Sequence, residues 1–482
     1  MVFNSFQFFL FFITLLSLYY WVSYQKQNLL LLTASVVFYA AFDYRFLSLL
    51  AISTTVDYTA GRLIHASTHI SKKRFFLLMS LVINLGILCF FKYANFFASS
   101  AVDLLSVFGI HASKPFLTLI LPLGISFYTF KTMSYTIDVY RGQIEPCKNY
   151  LDYALYTSFF PQLPAGPIER AGSLIPQITH PRTITKDKII QGLWLILWGL
   201  FKKLVIADNL AVYVNSIFDA SRPVTGVEII LATVAFAFQL YGDFSGYTDI
   251  SRGIARLLGF ETILNFNLPY LSINPVEFWK RWHISLSTWL RDYLFLPIAY
   301  AVMRHIKKPF LHLKVENWGY IIGISITMLL GGLWHGANWT FVLWGGYQGL
   351  LLAGHHVLTR GKKRRKRKGH ALKITLKTMG MFLLTCLGWL FFRAANLRQV
   401  GYFLRQLVVN FKLPTAVDGS IYPILFYIPL LWIFELWIKN SDDPRTSPGW
   451  VYGLGPIAVS LLILALITLS VTGGQGFIYA QF

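Results

Sequence analysis

The sequence predicts an all-α, polytopic membrane protein, and three observations carry that prediction. Of its 482 residues 55% are hydrophobic and 17% aromatic while only 13% are charged, more apolar side chain than a water-soluble core of this size needs. Apolar runs of spanning or near-spanning length recur along the whole chain. Between them no polar stretch is long enough to fold as a soluble domain, and no internal repeat is apparent.

The runs fall at about 5–22, 28–42, 46–56, 74–92, 116–137, 190–215, 227–242, 318–333, 339–357, 372–392, 421–438 and 451–471. The first, MVFNSFQFFLFFITLLSLYYWV, has neither a basic start nor a small-residue cleavage site, so it reads as a retained span and not as a removed signal peptide. The run at 46–56 is short. The stretch from about 243 to 317 is too polar to span simply and is dense in Trp, Phe and Leu, which places it inside protein or against a cavity. Residues 1–472 are expected to form one membrane-embedded domain, with 473–482 as a flexible tail.

Charge sets the orientation. The run GKKRRKRKG, Gly361 to Gly369, belongs in the cytoplasm, so 372–392 leads out, 421–438 returns and 451–471 leads out again. The C-terminus then lies outside the cytoplasm, although Arg393, Arg398, Arg405 and Lys412 sit in a loop that this count also puts outside. The net charge of +22, from 43 Lys plus Arg against 21 Asp plus Glu, is first the positive-inside bias and an attraction to membrane lipid headgroups. A basic cytoplasmic mouth would also draw in a polyanionic donor such as coenzyme A or an acidic acyl carrier protein. Set between two spans, the basic run is no nucleic-acid patch.

Ionisable side chains at membrane depth are functional candidates. His335 stands in LLGGLWHGANWTFVLWGGYQGL, flanked by Gly331, Gly332 and Gly336 and wrapped by Trp334, Trp339 and Trp344. Glycines allow close backbone approach, and an imidazole in such a bend can act as a base through one nitrogen while the other is oriented by a hydrogen bond. It can equally bridge two helices. His283 stands in PVEFWKRWHISLSTWLRDYLFLPI; at helical spacing Trp282, Leu286, Trp289 and Tyr293 fall on one face and Arg281, Ser285, Thr288 and Asp292 on another, as in an interfacial helix. An aromatic-belt anchor explains those tryptophans but not the charges among them.

Neither His283 nor His335 belongs to an HExxH or HxxxH pattern, the chain has no CxxC, and Cys89, Cys147 and Cys386 are scattered, so neither a metal site nor a disulfide framework is expected. Nor is there a GxSxG elbow, a P-loop or a GxGxxG fingerprint. Histidine-based acyl transfer and a transporter with a proton-coupling histidine both remain open on these residues.

Six stretches carry a resemblance: LPLGISFYTFKTMSYTIDVYRG (121–142), FFPQLPAGPIERA (159–171), YGDFSGYTDISRGIARLLGF (241–260), FWKRWHISLSTWLRDYLFLPI (278–298), LWHGANWTFVLWGGYQGLLL (333–352) and GWLFFRAAN (388–396). In them the chain resembles the membrane-bound O-acyltransferase family, in the branch that holds the alginate and peptidoglycan O-acetyltransferase membrane subunits. The resemblance implies a multi-helix bundle with a transmembrane tunnel and interfacial helices, and core motifs over about 121–396. It implies O-acetyl transfer to a cell-surface glycan from a thioester donor, acetyl-coenzyme A or an acyl carrier protein, with no bound cofactor. D-alanyl transfer to teichoic acids is the neighbouring activity. It also implies the bacterial inner membrane and an extracytoplasmic acetyltransferase partner.

On these motifs His335 takes the place of the family's essential histidine, as general base, and His283 that of its second. Trp334, Asn338, Trp282, Arg281 and Asp292 are then expected to line the substrate path, and Asp138, Glu169, Asp243, Asp249 and Arg393 to pair inside the bundle. The tail GGQGFIYAQF resembles the acyl-relay motif of these systems, with Tyr479 as relay nucleophile and Phe477 and Phe482 as its docking side chains.

Overall fold

The structure is a computed structural model that describes residues 1, 3–113, 117–164, 166–306, 308–309, 313–360, 371–413, 422–437 and 455–471. The described residues fold into helices joined by turns and longer loops, with no β-strand among them. Six helical stretches are long and apolar enough to cross a membrane: Tyr24–Ala66, Ile70–Val107, Lys186–Phe218, Gly226–Leu257, Val315–His335 and Ala371–Arg393. The chain divides into two compact units, one of Met1–Ile196 with Tyr247–Ile263 and one of Leu197–Gly246 with Leu264–Phe482.

In the first unit the helix Phe6–Tyr19 begins at Ser5, whose hydroxyl accepts from the Phe8 amide at 3.2 Å. The short run expected at 46–56 is one end of a full helix, Leu47–Ala66. In the sequence Asp57 breaks the apolar pattern of this helix. That carboxylate is fully buried and accepts from Asn84 Nδ2 at 2.9 Å, Thr136 Oγ1 at 3.1 Å and the Ser80 hydroxyl, so its polarity is met by neighbouring helices. The run expected at 116–137 is helical only from Ile125 to Tyr140, because Gly124 at φ +69° takes a left-handed turn open to glycine at little cost.

The run expected at 227–242 extends further, into the stretch from 243 onward. Its first part continues the helix Gly226–Leu257, which supplies residues up to Gly246 to the second unit and from Tyr247 to the first. The acidic residues that made the stretch too polar for a simple span are matched inside protein: Asp243 pairs with Lys203 at 2.7 Å, and Lys203 also pairs with Asp208 at 2.8 Å. Asp249 pairs with Arg252 at 3.5 Å. Glu169 accepts from the Ile263 amide at 2.5 Å, and burial pushes its carboxyl above the ordinary range. Arg393 meets Asp219 at 3.0 Å, and Asp138 is buried as well.

Candidate active site

All of the following residues belong to the second unit. The helices Val315–His335 and Trp339–Thr359 form a hairpin whose backbones touch at two glycines. A Cβ on Gly332 would run into the Phe341 carbonyl and lie 3.1 Å from Gly345 Cα, and one on Gly345 would strike the Met328 carbonyl. The first helix ends because Gly336 is extended, and Asn338 starts the second by accepting from the Thr340 amide at 3.0 Å. His335 is therefore the last residue of its helix, where the terminal carbonyls face positive charge favourably as it develops on a ring.

His335 is 3% exposed and is boxed by ring edges: Trp334 at 5.1 Å, Trp344 at 5.0 Å and Phe392 at 5.4 Å, all near perpendicular. The sequence placed Trp334 and Trp344 beside it. Phe392 comes from a later helix, Ala371–Arg393, and was not foreseen.

His283 sits at a break. The expected interfacial helix over 275–298 is interrupted: Pro275–Trp279 is a short helix started by Asn274, Ile284–Leu290 is a second, and His283 between them is left-handed at φ +41°. A left-handed non-glycine residue costs backbone energy and persists only where its surroundings hold it. Here Asn265 holds it. The Ile284 amide donates to the Asn265 carbonyl at 2.9 Å, while Asn265 Oδ1 accepts from the Ser285 amide at 3.1 Å and the Ser285 hydroxyl at 2.9 Å.

The same Oδ1 lies 3.2 Å from His283 Nδ1. Accepting from the Ser285 amide identifies this atom as the amide oxygen, which carries no hydrogen and can only accept, so Nδ1 carries the proton and Nε2 keeps the lone pair. Burial lowers the imidazole to about 3, so the ring is neutral at cellular pH. Asn265→Ala should leave the buried Ser285 amide and His283 N–H without that acceptor, at about 1–3 kcal/mol for each group, and free the tautomer. The midpoint of thermal unfolding in detergent and the transfer activity should both fall.

The two histidines, far apart in sequence, both neighbour one indole: the Trp334 ring is 5.1 Å from His335 and 6.2 Å from His283. From His283 the contacts run on to Phe266 at 6.2 Å, Trp282 at 5.0 Å and Trp389 at 4.9 Å. They return through Trp344 at 5.8 Å to His335 at 5.0 Å, a closed circuit of aromatic rings with an imidazole at two positions. Such an aromatic lining is apolar, and in low-dielectric surroundings an interaction with a developing charge is stronger than in water.

Of the other expected residues, Trp282 and Trp334 lie in this circuit, and Asn338 joins the hairpin to the next segment by donating to the Ala395 carbonyl at 2.8 Å. Arg281 is instead bound to Glu277 at 3.0 Å and to the Asn267 carbonyl at 3.1 Å, which fixes the short helix before His283. Asp292 meets its exposed neighbour Arg291 at 2.7 Å. Phe477, Tyr479 and Phe482 lie outside the described residues. Among the described residues, no group of three His, Cys, Asp or Glu side chains could hold a metal ion. Asn265, Phe266 and Trp389 escaped sequence reading, since nothing in NFNLPY or GWLFF marks a partner so distant in the chain.

The model of the membrane-bound O-acyltransferase family matches residues 6–392. The chain is 41% identical over 401 residues to a probable alginate O-acetylase AlgI of Azotobacter vinelandii, covering 82% of this chain and 76% of that protein. It is likewise 41% identical to a probable alginate O-acetylase AlgI of Pseudomonas putida, over the full length of both. A peptidoglycan O-acetyltransferase of Helicobacter pylori is 33% identical, over 94% of this chain and 91% of its own length. A multi-pass helical chain with this match is an acyltransferase, and it belongs to the membrane-bound O-acyltransferase family.

Proposed function

We propose that the protein takes acetyl groups from acetyl-coenzyme A in the cytoplasm and relays them across the bacterial inner membrane for O-acetylation of a cell-surface polysaccharide. The observation that supports this most is the pairing of His335 and His283 about Trp334, in a chain similar to alginate and peptidoglycan O-acetylating proteins. Residues 1–472 serve as the catalytic body and 473–482 as an arm that ends outside the cytoplasm.

In this reading His335 is the general base. It takes the phenol proton of Tyr479 as the phenol oxygen bonds to the thioester carbonyl carbon; the carbon–sulfur bond breaks, and the imidazolium returns the proton to the leaving thiolate. Phe477 and Phe482 seat the tail, Trp282, Trp334 and Asn338 wall the path, and Arg281 and Asp292 hold the segment around His283. His283, neutral with its lone pair on Nε2, accepts a hydrogen bond from the donor or the tail. A separate extracytoplasmic acetyltransferase then moves the acetyl from Tyr479 to a glycan hydroxyl.

The test is incubation of purified protein with isotopically labelled acetyl-coenzyme A, followed by peptide mass spectrometry. Acetyl label on the C-terminal peptide is expected when no partner is present to remove it. Label that appears only from an acetylated carrier protein would replace the donor, and label that never enters the chain would defeat the relay.

A further inference from the structure

We propose that the helix Leu397–Val409 lies in the plane of the bilayer and gathers anionic phospholipid headgroups along Arg398 and Arg405. The helix is built to start where it does: Asn396 Oδ1 accepts from the Gln399 amide at 2.9 Å and Gln399 Oε1 accepts from the Ala395 amide at 2.8 Å.

Around its axis it shows three different faces. One is fastened to protein: Val400 and Phe403 are buried, Phe403 meets Phe218 edge-on at 5.2 Å, and just past the helix the Asn410 carbonyl accepts from the Gly226 amide at 2.9 Å. Roughly a quarter-turn on, Leu397, Gly401, Leu404 and Val408 form a second stripe at helical spacing. Leu397 is 47% exposed, Leu404 38% and Val408 83%, and nothing lies within 4 Å of a side chain added at Gly401, so this apolar stripe faces outward.

About another quarter-turn on stand Arg398 and Arg405, one heptad apart and both exposed. Phe411 and Leu413, exposed on either side of Lys412, extend the same composition beyond the helix. A helix held by protein on one side, with an apolar stripe next and a cationic row next again, matches a bilayer boundary: acyl chains against the leucines and valine, phosphates against the guanidinium groups. This accounts for basic residues in a loop where span counting alone does not expect them. The seat also touches the chemistry, because Asn338, three residues after His335, donates to the Ala395 carbonyl just ahead of this helix.

The experiment places a fluorophore on Val408→Cys, in a chain carrying Cys89→Ser, reconstituted into phosphatidylcholine vesicles containing a minor fraction of phosphatidylglycerol. Bromine on the acyl chains of one lipid or the other quenches the fluorophore. Brominated phosphatidylcholine should quench it, and brominated phosphatidylglycerol should quench it more than its share of the bilayer predicts. With Arg398→Gln and Arg405→Gln together that excess should fall, by on the order of fivefold for each arginine, while quenching by phosphatidylcholine stays unchanged. No quenching by either lipid would overturn the in-plane placement. Quenching in proportion to bulk composition in the parent, or an excess that survives loss of both arginines, would overturn the anionic site. No acetyl transfer is measured, so the outcome stands apart from the proposed reaction.

Discussion

Replacing His335 by glutamine is expected to lower acyl transfer by about 10²- to 10⁴-fold while the protein still inserts and folds. Glutamine is the informative choice. His335 is packed by Trp334, Trp344 and Phe392, so alanine would open a hole in the aromatic circuit and mix a packing loss with a chemical one. Glutamine fills much of the same space and can hydrogen-bond, but it has no basic nitrogen. His283→Gln should reduce the rate less, because that ring supplies a lone pair by position and does not carry the proton in the proposed step. The measurement is acetylation of the glycan by membranes holding each variant, with chromatographic profile in detergent as the check on folding. Near-normal acetylation by the His335→Gln protein would remove it from the role of base.

The difference between these two histidines shows how far the sequence could be read. His335 was legible because its setting is local: the glycines and tryptophans that shape the bend lie within ten residues of it, and the apolar pattern on either side fixes two helices. Gly332 against Gly345 follows from the same stretch. His283 was legible as a residue but not as a geometry. Helical spacing over 275–298 described a continuous amphipathic helix, whereas the backbone turns left-handed at His283 because Asn265 satisfies the amides there. That bond joins segments through tertiary structure, and periodicity carries no trace of it. The same limit hid Asp57 and Asp243 inside helices: a carboxylate reads as a boundary until the serine, asparagine, threonine or lysine that meets it is known.

The largest remaining effect is expected from one oxygen atom. Tyr479→Phe should abolish glycan acetylation while leaving the amount of protein in the membrane unchanged. In GGQGFIYAQF the only hydroxyl is that of Tyr479, so a relay through the tail has no substitute nucleophile. A phenol suits the task. Its pKa of about 10 is near that of a thiol at about 8.5, so an aryl ester retains much of a thioester's transfer potential, which an aliphatic serine ester would not. Tyr479→Ser is therefore expected to fail as well, although it restores a hydroxyl. In the proposed relay, glycines at 473, 474 and 476 would let the arm fold inward for loading and outward for delivery. Phe477→Ala and Phe482→Ala should weaken loading without abolishing it, since in the proposed relay they would seat the tail and take no part in bond exchange. An interfacial aromatic anchor would behave differently: it would tolerate loss of one hydroxyl and suffer from loss of either phenylalanine. Glycan acetylation by the Tyr479→Phe protein at the parent's level, with Phe477→Ala impaired, would establish the anchor and end the relay.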